Sequence, residues 1–158
     1  MKKNYRIKKR KGVALIWMIL AFTILMILMT SIIYIVRQDI FETVKQEERL
    51  QTYYIALAGL DLTYAALMDP SISPKIIDNV IDLLKKSNTS ITDTINIEIG
   101  GNQKGTATVT IDRVKENEIN WVRITAVGQL KGKDTKISST MRINESNYNQ
   151  MIREKIGQ

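Results

Sequence analysis

From Val13 to Val36 the chain runs for 24 residues without a charge, a glycine or a proline, and Ile, Leu, Met and Ala dominate the run. A helix of that length rises about 1.5 Å per residue and so covers about 36 Å, slightly more than the roughly 30 Å of bilayer hydrocarbon. Thr23, Thr30 and Ser31 are compatible with such a span, because a helical hydroxyl can donate back to a carbonyl one turn earlier. A secretory signal would have a shorter apolar core ending in a small-residue cleavage site, and VALIWMILAFTILMILMTSIIYIVRQ offers none. Residues 13–36 therefore read as a transmembrane helix.

Charge orients it. The chain carries 23 Lys plus Arg against 16 Asp plus Glu, a net +7. All of the excess lies in Lys2, Lys3, Arg6, Lys8, Lys9, Arg10 and Lys11, with no acid among them, so residues 13–158 are neutral in sum. Seven basic residues on one flank, against Arg37 beside Asp39 and Glu42 on the other, put the amino terminus in the cytoplasm and the rest outside. Basic charge confined to a leader gives no reason to expect nucleic-acid binding by the domain. The chain has no Cys and no His. It thus lacks the usual zinc ligands, any thiol nucleophile and the commonest general base, and no catalytic residue, metal or cofactor is expected. An ectodomain here must hold together by burial and hydrogen bonding without disulfides.

The helical pattern continues past the membrane, with no proline until Pro70. Ile40 and Val44, then Ile55, Ala58, Leu62 and Ala65, fall on helical spacing, so one helix is expected over 13–68 with 37–68 as its ectodomain part. Ile55, Ala58, Gly59 and Leu62 are the expected helix–sheet packing positions. Gly59 costs about 1 kcal/mol relative to Ala in a helix, which points to close approach by a neighbouring element. Asp69 and Pro70 end the helix. A connector over 69–90 then holds a short second helix, with Ser73 as N-cap, Pro74 at its first position, and Ile76, Ile77, Val80, Leu83 and Leu84 on one face.

After Lys86 the apolar period becomes two. Ile95, Ile97 and Ile99, then Ala107, Val109 and Ile111, then Val122, Ile124, Ala126 and Leu130, then Ile137, Met141 and Ile143 each mark one face of a strand. GGNQKG, KENEIN and KGKD separate the runs at hairpin length. The expected class is α+β: a long N-terminal transmembrane helix, a short second helix, and a four-stranded antiparallel sheet over 91–144, followed by a loose polar tail over 145–158. Gly100 to Gly105 has the spacing of a phosphate loop, but Thr106 replaces the required lysine and no helix follows, so a turn is expected there. Glu47, Glu48, Asp61 and Asp69 read as solvated helix carboxylates, and Trp121 as packing at a strand start.

The junction RKGVALIWMIL places Gly12 between the basic cluster Lys8, Lys9, Arg10, Lys11 and the apolar run, with no loop between them. Together with the helix that continues into a sheet-bearing ectodomain, KGVALIWMILAF resembles the start of type IV pilin superfamily proteins, in particular PilX-type minor pilins and the pseudopilins of type II secretion and competence. YYIALAGLDLTYAAL and VRITAVGQLKGKDTKISSTMRI resemble their second helical segment and closing strands. The sequence departs from that pattern at Leu57, where an acidic residue is usual, and at Trp17, where most pilins have glutamate five residues after the cut. The resemblance implies cleavage between Gly12 and Val13 by a membrane-embedded prepilin peptidase, methylation of the new amine, and a filament role as a minor pilin or pseudopilin. The implied partners are that peptidase, other pilins or pseudopilins, an inner-membrane assembly platform, and membrane lipid before assembly. It also implies that Trp17 marks a subunit with none ahead of it, at the filament tip. Two alternatives stand beside it. Gly12 and Trp17 can be a helix breaker and an interfacial aromatic, and the ectodomain can be a signal-anchored binding or sensor module that never enters a filament.

Overall fold

The computed structural model describes residues 7–87, 89–99 and 103–154, with residues 7–12 and Gln103 described through their backbone alone. The chain divides into two compact units, Met1–Lys45 and Gln46–Gln158. Helix α1, Ile7–Leu67, supplies the described part of the first unit and the opening element of the second. Its described part starts at Ile7, within the basic stretch and earlier than the expected 13, because Lys and Arg are good helix formers and nothing between Ile7 and Val13 interrupts the backbone ladder. It ends at Leu67 with Met68 N donating to Tyr64 O at 3.0 Å. Asp69 Oδ1 then accepts from the Ser71 amide at 2.9 Å and the Ser71 hydroxyl at 2.7 Å, a turn that holds the Asp69 carboxyl below its ordinary range through those hydrogen bonds.

In the second unit a short helix follows, α2 over Ile76–Ser87, and then strands β1 Ile91–Ile99, β2 Gln103–Glu116, β3 Ile119–Leu130, β4 Lys136–Asn144 and β5 Asn147–Arg153. The sheet is an antiparallel meander in the order β1-β2-β3-β4-β5. The α+β class agrees with the sequence reading, but the sheet has five strands rather than four. Residues 147–153, read as loose polar tail, pair with β4 instead. Their polar side chains masked a strand, since hydrogen bonding of the backbone to an existing edge does not require an alternating apolar pattern.

Helix α2 also begins later than expected. Residues 71–74 form turns and bends, and the first turn opens with Asp78 N donating to Lys75 O, so Ser73 and Pro74 are neither cap nor first residue. Its buried residues are Ile77, Ile81 and Leu84, while Leu83 is 56% exposed. At 100° per residue Ile77 lies between Leu84 and Ile81, and Leu83 falls off that face.

The strand alternation matches the sequence reading closely. Ala107, Val109 and Ile111 of β2, Val122, Ile124, Ala126 and Leu130 of β3, and Met141 and Ile143 of β4 are all buried. They form a layer with Leu60 and Leu67 of α1 and Ile77, Ile81 and Leu84 of α2, with Ile55, Ala107 and Leu130 as a second cluster. The β2–β3 connection is a two-residue turn in which Asn117 (φ 48°) and Glu118 (φ 64°) both lie in the left-handed region, between the paired Glu116 and Ile119. Positive φ at both central positions is what a right-twisted hairpin needs.

Three glycines set the distance between the second unit's part of α1 and the sheet. A Cβ on Gly128 would lie 2.4 Å from the Thr52 carbonyl oxygen and 2.6 Å from the Ala56 nitrogen. One on Gly105 would lie 2.2 Å from Ile55 Cδ1, and one on Gly59 2.4 Å from Ala107 Cβ. The close approach expected at Gly59 is therefore present, with Ala107 as the neighbour. The seat is completed where the β3–β4 connection returns: Thr135 Oγ1 donates to Glu48 Oε1 at 2.8 Å and Lys133 Nζ lies 3.0 Å from Glu48 Oε2.

Candidate functional site: an uncharged helix surface behind a basic junction

In the first unit every residue from Val13 to Lys45 is exposed. Between Val13 and Val36 this surface includes Leu15, Ile16, Trp17, Met18, Ile19 and Phe22, each between 58% and 72% exposed. The only hydroxyls of Ser or Thr in the span are bonded inside the helix: Thr23 Oγ1 to Leu20 O at 2.8 Å, Thr30 Oγ1 to Met26 O at 2.8 Å, and Ser31 Oγ to Ile27 O at 2.9 Å. Little polar demand is left on the cylinder. Burying a Leu- or Ile-sized side chain is worth about 1.5–3 kcal/mol, so a run of this composition gains on the order of tens of kcal/mol by leaving water. Among the described residues one helix is long and apolar enough to span a membrane, and it is this one.

At the junction, the backbone is helical without interruption from Ile7 through Gly12 into Val13. Gly12 thus does not break the helix, against the plainer sequence reading of it. Lys8, Lys9, Arg10 and Lys11 lie on the same turns, and their side chains fall outside the described residues. Trp17, five positions beyond Gly12, is 67% exposed. The sequence reading gave no weight to Tyr34, which is 70% exposed and 17 positions further along. That separation is about 26 Å of helix, close to the thickness between the two interfacial layers where Trp and Tyr gather. Their pairing favours the interfacial reading of Trp17, and does so independently of any filament.

The helix–sheet positions named from sequence are only partly brought together. Ile55 and Gly59 are buried, Ala58 is half-buried, and Leu62 is 53% exposed. The seated face is instead Thr52, Ile55, Ala56, Gly59 and Leu60. The spacing rule selected the neighbouring stripe because Ala58, Leu62 and Ala65 repeat as cleanly as Ile55 and Gly59 do. Only small residues such as Ala56 and Gly59 permit the close approach, so size rather than apolarity chose the face. A signal for it existed in the sequence: Gly105 and Gly128 sit on the sheet's inner face among larger residues, where a strand gains nothing from glycine unless another backbone comes near.

The carboxylates are taken up structurally. Glu48 holds Lys133 and Thr135, Asp61 Oδ1 accepts from Arg153 Nη2 at 2.7 Å, and Asp69 closes its turn on Ser71. Among the described residues no group of three or more Asp, Glu, His or Cys side chains could hold a metal ion. Trp121 is buried at the start of β3, with the Arg142 guanidinium 5.9 Å from its ring. Tyr148, on the strand that sequence reading missed, donates to Asp78 Oδ1 at 2.6 Å and packs against the main core. Glu145 receives Lys85 Nζ at 2.5 Å and Arg113 Nε at 2.9 Å, linking α2, β2 and the β4–β5 turn.

Compared with protein-family models, with curated proteins and with solved structures, the chain matches none.

Proposed function

We propose that this protein is a minor pilin or pseudopilin, a structural subunit of a type IV pilus-like filament. The observation that carries the proposal is the uncharged, wholly exposed helix surface beginning at Val13, directly behind a basic cluster that ends in Gly12. Such a surface is stable in a bilayer and equally stable in the apolar core of a helical filament, so one segment can serve both states. Prepilin peptidase would cut between Gly12 and Val13 at the cytoplasmic face. A peptide bond must leave the helix to enter a protease cleft, and glycine, about 1 kcal/mol poorer than alanine as a helix former, lowers the cost of that local unwinding. Other pilins and an inner-membrane assembly platform are the partners this reading requires.

Trp17 refines the role. A glutamate at that place would be a carboxylate in an apolar bundle, costing at least about 2.5–3.5 kcal/mol unless paired with the amine of a neighbouring subunit. A subunit at the tip has no subunit ahead to supply that amine, and an uncharged residue removes the penalty. The Trp17–Tyr34 spacing supports the second reading, an anchored binding or sensor domain that stays in the membrane.

Processing separates the two. Co-expression with a prepilin peptidase should yield a mature chain beginning VALIW, and replacing Gly12 by a bulky residue should block the cut. An intact mass that still includes the leader, beside a processed control pilin, would remove the filament proposal. Even gold labelling along sheared filaments would remove the tip assignment while leaving the subunit assignment standing.

A further inference from the structure

The two edges of the sheet are built differently. Strand β5 is short, its register against β4 shifts between Ile143 and Asn144, and it ends in Arg153. Shortness, irregularity and a basic residue are the devices by which natural sheets keep an edge from pairing. Strand β1 has none of these. Its nine residues pair with β2 in unbroken register from Ile91↔Ile111 to Ile99↔Gln103, and it contains no proline, lysine or arginine.

The direction of its free backbone groups follows from one contact. The Thr94 amide donates to Asp93 Oδ1 at 2.7 Å. It is therefore not engaged with β2, and in an antiparallel ladder the N–H and C=O of alternate residues point to the same side. Thr92, Asn96 and Glu98 share that direction with Thr94, away from the sheet. The hydroxyls of Thr92 and Thr110 lie 3.2 Å apart, as expected where facing residues form the narrow, non-hydrogen-bonded pair. On the helix side of the same strand, Ile91, Ile95, Ile97 and Ile99 touch the two core clusters yet remain only half-buried. The apolar layer thus runs out at β1 incompletely covered.

We propose that the β1 edge is a docking site for an extended polypeptide strand of a partner protein, which pairs with the outward groups of Thr92, Asn96 and Glu98. The occupant's chemistry follows from the edge. A ladder of alternating donors and acceptors is matched only by another extended backbone. The half-covered isoleucines ask for apolar side chains at every second position. Glu98, on the face opposite the isoleucines and 2.9 Å from Lys104 Nζ, favours lysine or arginine at the occupant's other positions. Asp93 acts as a guard: its carboxylate occupies the Thr94 amide and must be displaced before the strand can pair along its length. This site is independent of the filament reading and would serve an anchored module equally.

The full-length chain in detergent, titrated with a synthetic peptide of about eight residues alternating valine with threonine and lysine, tests it. Amide hydrogen exchange should slow at Thr92, Asn96 and Glu98 while Ile95 and Ile97, already bonded to β2, stay unchanged. Asp93→Ala should tighten binding several-fold by freeing the Thr94 amide. Asn96→Pro removes an outward amide without touching the β1–β2 ladder and should abolish binding, while an unaltered denaturation curve shows that the fold survives. Replacing the peptide's lysines by glutamate should weaken it. No protection at the outward amides at millimolar peptide, protection spread over other strands, or binding indifferent to Asn96→Pro would overturn the proposal. Because the probe is a free peptide, these outcomes do not depend on whether the chain is processed by a prepilin peptidase.

Discussion

Replacing Gly128 by alanine tests whether α1 is seated on the sheet as tightly as the structure has it. The new Cβ would stand 2.4 Å from the Thr52 carbonyl oxygen, 2.6 Å from the Ala56 nitrogen and 3.1 Å from Ala56 Cβ. Two of these three are backbone atoms, and restoring ordinary contact near 3.4 Å requires the helix to retreat by about 1 Å. Overpacking of this kind costs about 1–3 kcal/mol. Against it stands a gain of about 0.4–1 kcal/mol, because alanine has less unfolded-state entropy to lose than glycine. The balance is a net loss of about 1–2 kcal/mol. With a urea dependence of about 2 kcal/mol/M for a small domain, the midpoint for residues 46–158 should fall by about 0.5–1 M. Gly128→Val decides the mechanism. Valine is favoured over glycine on a strand by as much as about 1 kcal/mol, so on an unobstructed sheet the valine variant would be the most stable of the three. Beneath a seated helix it must be the least stable. A circular-dichroism urea series ordered Val, Ala, Gly from highest to lowest midpoint would refute the seating.

Four other outcomes follow from the packing and the polar contacts. Ile55→Ala should cost about 2–4 kcal/mol, whereas Leu62→Ser, at a half-exposed position, should stay within about 0.5 kcal/mol, both read from the same urea curves. A fragment beginning after Met68 lacks Ile55, Ala56 and Leu60, so it should leave the sheet's apolar face uncovered and aggregate in sedimentation runs in which residues 46–158 remain soluble. The pH limits come from two groups. Burial first, and then its hydrogen bond to Asp78, push the Tyr148 phenol from 10.0 up to about 12. Its contribution to stability is therefore complete below pH 10 and lost between 10 and about 12, and tyrosinate absorbance should lose its late-titrating component in Tyr148→Phe. Burial pushes the Glu145 carboxyl upward, but hydrogen bonds from Lys85 and Arg113 outweigh it and leave the group below its ordinary 4.5. Its contribution is present above 4.5 and lost as pH falls below that, so Glu145→Gln should flatten the acid limb of the stability profile.

The sequence by itself determined those features in which a local pattern has a single physical solution. A 24-residue uncharged run admits only a helix in apolar surroundings, since no other structure satisfies its backbone there. The period-two runs at Ala107, Val122 and Met141 gave the inner face of three strands correctly, because a side chain on a strand has only two directions to choose between. The excess charge confined to residues 1–12, and its direct junction with the apolar run at Gly12, were legible for the same reason: both are properties of neighbours in the chain. What needed the tertiary structure was every choice among near-equivalent local solutions. Helix α1 presents two apolar stripes, and the packed one is decided by the steric fit of Ala56 and Gly59 against Gly105, Ala107 and Gly128, residues about fifty or more positions away. Strand β5 carries no apolar alternation and exists because β4 offers it a backbone edge. The difference between the short, irregular β5 edge and the longer, regular β1 edge appears only when five strands are laid in order, since an edge is a property of the sheet and of no strand alone.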